Sequence, residues 1–204
     1  MMAQTLTRLK ETASQTAGPY VHIGLTPNVC EINGVYPEDL GIAMVNEKTR
    51  GERITLKMRI FDGTGSVIRD ALIEIWQADA DGLYNSPSEP RGKADPNFTG
   101  WGRQAADGDG VFTFATVKPG RVPFLDGRPQ APHVSLWIAA RGINLGLQTR
   151  MYFGDEQEAN AEDPILTRLE HQNRVPTLIA QRDGDTYSFD IHLQGEKETV
   201  FFDV

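Results

Sequence analysis

Tyr187, Phe189, Ile191 and Leu193 alternate strictly with Ser188, Asp190 and His192, a period of two that suits a half-buried β-strand. The same period runs through Ile54, Leu56, Met58 and Ile60, which alternate with Thr55, Lys57, Arg59 and Phe61. Asp62-Gly63-Thr64-Gly65 follows with residues that turn a chain, and Ala71–Trp76 returns with one fully apolar face, so the two runs read as a hairpin. A third run, Val111–Val117, opens after Asp107-Gly108-Asp109-Gly110 and stops at Lys118-Pro119-Gly120. Short helices are expected only at Asp155–Ala161 and Asp163–Glu170, each with an aspartate placed to cap its first turn. These elements predict an all-β chain, a β-sandwich of mostly antiparallel strands with long loops and a few short helices. With 204 residues, one domain over 1–204 is the expectation.

Charge excludes several classes of partner. The formal net charge of −8, with no cluster of Lys and Arg, argues against nucleic acid and against anionic membrane surfaces. No apolar run approaches the ~20 residues needed to span a bilayer. Met1–Lys10 lacks the apolar core of a signal peptide, and a lone Cys30 cannot form an internal disulfide, so a cytoplasmic location is expected. Asp79-x-Asp81-Gly82 and Asp107-x-Asp109-Gly110 have the start of a calcium loop, but Pro90 and Lys118 stand where the closing Glu belongs, so both read as turns. Neither a Gly-x-Ser-x-Gly elbow nor an activating context for Cys30 is present. Ser86–Gly92 reads as a long excursion that either carries contacts or only wanders.

One segment carries a trace of metal chemistry. In Ala131–Ile138, Val134, Leu136 and Ile138 alternate with His133, Ser135 and Trp137, so His133 and Ser135 share a strand face. A His-x-His pair so placed is a strong ligand signal. His-x-Ser is a weak one, because a hydroxyl is a poor replacement for imidazole. From these residues alone, His133 suits a core or interface hydrogen bond better than coordination.

Longer matches are more specific. Ser14–Tyr20, Ala71–Asp79, Ala131–His133, Ala140–Asn144, Gln194–Glu196 and Thr199–Asp203 together resemble the intradiol ring-cleavage dioxygenases, specifically the non-iron chain of those that act on protocatechuate. The resemblance implies two homologous chains in a large alpha-beta oligomer, whose beta chain holds Fe(III) through two tyrosines and two histidines. Laid on this sequence, the first tyrosine matches Tyr84 and the second falls at Val122. The histidines match His133 and Ser135, and a catalytic arginine position is Gln130. Losing two of four ligands leaves no usable iron site, so no metal and no catalytic residue are assigned to this chain alone. Tyr84 and His133 are expected to persist as relics with structural hydrogen bonds.

The resemblance also implies that Thr16, Gly18, Pro19 and Arg141 border the substrate pocket of the partner chain, with Tyr20 supporting the iron's ligands through a hydrogen bond. An extended amino-terminal segment of about residues 1–50 would contact that partner. A guanidinium suits the carboxylate of protocatechuate because it binds carboxylates bidentately in a fixed orientation. The reaction implied is insertion of O2 between the hydroxylated carbons, giving 3-carboxy-cis,cis-muconate. Two alternatives stand beside it: a self-sufficient iron dioxygenase with unusual ligands, and a transthyretin-like binding or structural module with no catalytic role.

Overall fold

Strand β1 (Arg53–Phe61) buries Ile54, Leu56, Met58 and Ile60 on one face, as its alternation predicts. Each such side chain contributes roughly 1.5–3 kcal/mol when fully withdrawn from water. The structure, a computed structural model, describes residues 15–144 and 146–203. The reading of Met1–Lys10 and the match at Ser14 lie outside the described residues.

Seven further strands follow: β2 (Ala71–Trp76), β3 (Trp101–Ala105), β4 (Val111–Val117), β5 (His133–Ala140), β6 (Leu147–Phe153), β7 (Ile179–Asp183) and β8 (Thr186–His192). They form one sheet in the order β3-β2-β5-β6-β7-β8-β1-β4. Its two halves join through a short parallel pairing, Tyr152 with Ile179 and Phe153 with Ala180. They enclose a core that includes Leu56, Met58 and Phe114 from one half and Ile73, Leu136 and Met151 from the other. Among the described residues, five of the seven strand pairings are antiparallel, and β1–β8 and β6–β7 are parallel. The all-β expectation holds, with the sheet bent nearly into a barrel.

Three details differ from the sequence reading. First, β1 and β2 form no hairpin: β1 lies between β4 and β8, and β2 between β3 and β5. Both strands bury apolar residues that face the shared core, so the link between them crosses from one half to the other. Second, the amino-terminal segment is not extended throughout, because Pro19–Leu25 is a helix (α1) with Gly18 as its N-cap. Third, Asp155 does not cap the helix Gln157–Glu162 (α2). Its carboxylate accepts from Lys118 Nζ at 2.8 Å, Arg182 Nη1 at 2.6 Å and the Tyr187 hydroxyl at 3.0 Å. Two cations and a phenol bind a carboxylate more strongly than a helix end does.

Asp163 does act as a cap. Its Oδ1 accepts from the backbone N–H of Ile165 at 2.8 Å and Leu166 at 2.9 Å, at the start of the 3-10 turn Leu166–Arg168. Its Oδ2 accepts from Ala131 N–H at 2.8 Å, which ties this turn to the approach of β5. The two Asp-Gly sequences are turns stitched by aspartate: Asp79 Oδ1 accepts from Asp81 and Leu83 N–H, and Asp107 Oδ1 from Asp109 and Val111 N–H. Gly82 in the first has φ +78°, and a Cβ there would overlap the Arg121 carbonyl. Only glycine lets the turn carrying Tyr84 pack onto the loop carrying Val122.

Candidate functional site

Two groups of sequence-predicted residues lie at opposite ends of β5. At its start, β5 places His133, Ser135 and Trp137 on the face away from the core, since Val134, Leu136 and Ile138 fill the inner face. The cross-strand neighbours on that outer face are Trp76 and Arg150 beside Ser135, and Tyr152 beside His133. Leu166, Leu178, Tyr152 and Ala131 pack in a second apolar cluster nearby.

His133 is buried, and its Nδ1 lies 2.8 Å from the Ala131 carbonyl, so the ring proton sits on Nδ1. Its ring packs against Tyr152 at 5.6 Å. Burial, with the nearby Arg150 charge adding to it, pushes the imidazole down to about 4. The fold therefore prefers the neutral ring, while the unfolded chain takes up a proton near pH 6.5. This contribution is whole above about pH 6.5 and is lost as pH falls toward 4. On the order of 3 kcal/mol is at stake from such a shift. We expect His133→Asn to flatten the acid side of the stability curve over that window, measured by urea unfolding; parallel curves would contradict this.

Tyr84 lies beside Trp76, the cross-strand neighbour of Ser135. Its ring stacks on Trp76 at 5.8 Å and 4°, and among the described residues its hydroxyl makes no hydrogen bond. Stacking holds the ring, while the backbone N–H donates to Glu89 Oε2 at 3.1 Å. Burial raises its phenol above the usual range, against a lowering by Arg150 and Arg91. Val122 is buried, and its carbonyl accepts from Gln130 N–H at 2.8 Å. The Gln130 side chain accepts from Arg150 Nη1 at 2.8 Å and donates to the Pro123 carbonyl at 3.2 Å.

This donor set does not fit a ferric ion. Of the four positions, one offers a phenol of raised pKa, one an imidazole, one a hydroxyl and one only methyl groups. Among the described residues, no three His, Cys, Asp or Glu come together in a metal-binding group. Arg150, the cross-strand neighbour of Ser135, adds a like charge on the same sheet face, which opposes the binding of any cation there. Arg150 was missed by sequence reading because its place depends on the β5–β6 register, which pairs it with Ser135.

At the other end of β5, Thr16 bridges to Asn144, and its hydroxyl accepts from Gly142 N–H at 2.7 Å. That contact binds the amino-terminal segment to the turn carrying Arg141. Gly18, Pro19 and Arg141 then line one cleft of about 580 Å³ with His22, Ile23 and Asp70. Arg141 is 79% exposed, with Nε 3.2 Å from Asp70 Oδ2. Asp70 is another residue the sequence reading missed; it precedes Ala71, the cross-strand partner of Ala140. Tyr20 is 84% exposed and does not line the cleft.

A family model for dioxygenases matches residues 36–195. The chain belongs to the intradiol ring-cleavage dioxygenase family. It is 46% identical over 200 residues to the protocatechuate 3,4-dioxygenase alpha chain of Pseudomonas putida, covering 96% of this chain and 97% of that one. It is also 35% identical over 170 residues to the protocatechuate 3,4-dioxygenase beta chain of Burkholderia cepacia, covering 77% of this chain and 71% of that one. Among solved structures, the dioxygenase domain of a dioxygenase carbohydrate-binding protein fusion from Streptomyces sp. SirexAA-E aligns with a TM-score of 0.54 at 26% identity, over 76% of this chain and 86% of that one.

Proposed function

We propose that this chain is the iron-free alpha subunit of a protocatechuate 3,4-dioxygenase and that it shapes the active site of a homologous iron-bearing beta subunit. The observation that carries this reading is the separation of its two sites along one strand. His133 begins β5 and Arg141 directly follows it, a rise of about 25 Å at ~3.3 Å per residue. An arginine side chain does not span that distance, so the cleft cannot serve the chain's own former ligand positions. It can serve a metal centre brought by another chain.

The surface around the cleft supports docking. Between Gly18 and Pro37 the only Asp, Glu, Lys or Arg is Glu31. Tyr20, Val29 and Val35 are all more than half exposed in the same stretch. An apolar, charge-poor surface of this kind is what a monomer avoids and an interface uses.

In this reading the partner's ferric ion supplies the oxygen chemistry that opens the ring to 3-carboxy-cis,cis-muconate. The residues of this chain do the positioning. Arg141 receives the carboxylate of protocatechuate and so turns the two hydroxyls toward the metal, fixing an orientation before reaction. Gly18 lets backbone approach the ligand, and Pro19, at the first turn of α1, stiffens the wall. Thr16 anchors this wall to the Arg141 turn. Co-expression with the iron-bearing chain should give oxygen uptake on protocatechuate, with none from this chain alone. Uptake by the isolated chain, or a failure of the two chains to associate, would overturn the assignment.

A further inference from the structure

Of the three positions where the family resemblance puts a ligand or an arginine that this chain lacks, Ser135 and Gln130 adjoin one side chain directly, and Val122 adjoins Gln130 through its backbone. Ser135 is the cross-strand partner of Arg150, Gln130 accepts from Arg150 Nη1 at 2.8 Å, and Val122 holds Gln130 by accepting its backbone N–H at 2.8 Å. Serine in place of a larger imidazole leaves volume beside Arg150 on the same sheet face. Glutamine in place of arginine offers an acceptor, where a second guanidinium would offer only donors and repel the first. Val122 adds no charge and no donor.

We propose that the guanidinium of Arg150 holds the place of the metal cation in this chain and keeps iron out of it, so that restoring the missing ligand side chains alone would not restore a ferric site. The inference rests on reading Tyr84, Val122, His133 and Ser135 as former ligand positions. Physically, the fixed positive charge does two jobs. The guanidinium donates to the side-chain oxygen of Gln130, and it repels any cation drawn to the remaining phenol and imidazole. A chain that shares an assembly and a fold with an iron enzyme thereby cannot compete with its partner for iron.

Ferric uptake by the full-length chain tests this. V122Y/S135H and V122Y/S135H/R150Q are each dialysed against Fe(III), then assayed for iron per chain and for the visible absorption of ferric tyrosinate. The variant lacking Arg150 should take up at least about tenfold more iron, in line with the effect of a neighbouring group on a metal site. Equal uptake by the two, or no uptake by either while both keep the natural circular dichroism, overturns the proposal. Where the triple change does not fold, S135H against S135H/R150Q with Zn(II) gives the same comparison, and equal affinities again overturn it. Oxygen uptake by the natural two-chain complex is read separately, so failure here leaves the subunit assignment standing.

Discussion

Replacing Arg141 with alanine is expected to raise KM for protocatechuate by about 10 to 100-fold in the assembled enzyme while changing KM for unsubstituted catechol by less than about threefold. The magnitude follows from a charge-assisted hydrogen bond to a carboxylate, worth about 1.5–3 kcal/mol when one partner is removed. Folding should be spared. Arg141 is 79% exposed and its partner Asp70 48% exposed, and exposed ion pairs contribute about 0–1 kcal/mol. Lysine at this position should recover only part of the effect, since it keeps the charge and loses the planar fork. Equal losses on protocatechuate and catechol would remove the carboxylate role and leave Arg141 as a residue of the wall.

The other large effect is on stability. Asp163 is fully buried and accepts from three backbone donors, those of Ala131, Ile165 and Leu166. Alanine there strands all three, at about 1–3 kcal/mol each, because no water replaces the lost carboxylate in a packed site. Some relaxation will return part of that, so Asp163→Ala should cost about 3–5 kcal/mol and lower Tm by about 10 °C. A loss below about 1 kcal/mol in chemical denaturation would mean that the turn re-forms its hydrogen bonds elsewhere. Because Asp163 joins the 163–168 turn to the start of β5, the same variant should loosen His133 more than Arg141.

Strands with one dry and one wet face were legible from residues alone. β1 and β8 alternate along their length because the core requires it, and β4 does so until Thr116 and Val117, which are both buried. β3 and β7 were not legible. Trp101–Ala105 contains Gly102, whose missing Cβ makes room for Met44 Sδ, and Ile179–Asp183 is mostly polar, so neither shows a period. Helix α1 carries a local start signal in Gly18-Pro19, with proline at its first turn, which the sequence reading did not use. Asp163 was readable as a cap because capping is local, whereas Asp155 was misread because its true partners, Lys118, Arg182 and Tyr187, are distant in sequence. The same divide runs through the site. Ser135 beside His133 is visible in one line of sequence, but Arg150 and Asp70 acquire meaning only through cross-strand register. Tertiary pairing overrides what a local window can contain.

A structure of the two-chain complex, solved with protocatechuate bound, tests the account most directly. The account predicts that Arg141 and Thr16–Pro19 border the cavity of the partner's iron, with the guanidinium facing the substrate carboxylate, while Arg150 stands among Tyr84, His133 and Tyr152. An arrangement in which Arg141 and the amino-terminal segment lie away from every iron-bearing cavity would contradict it.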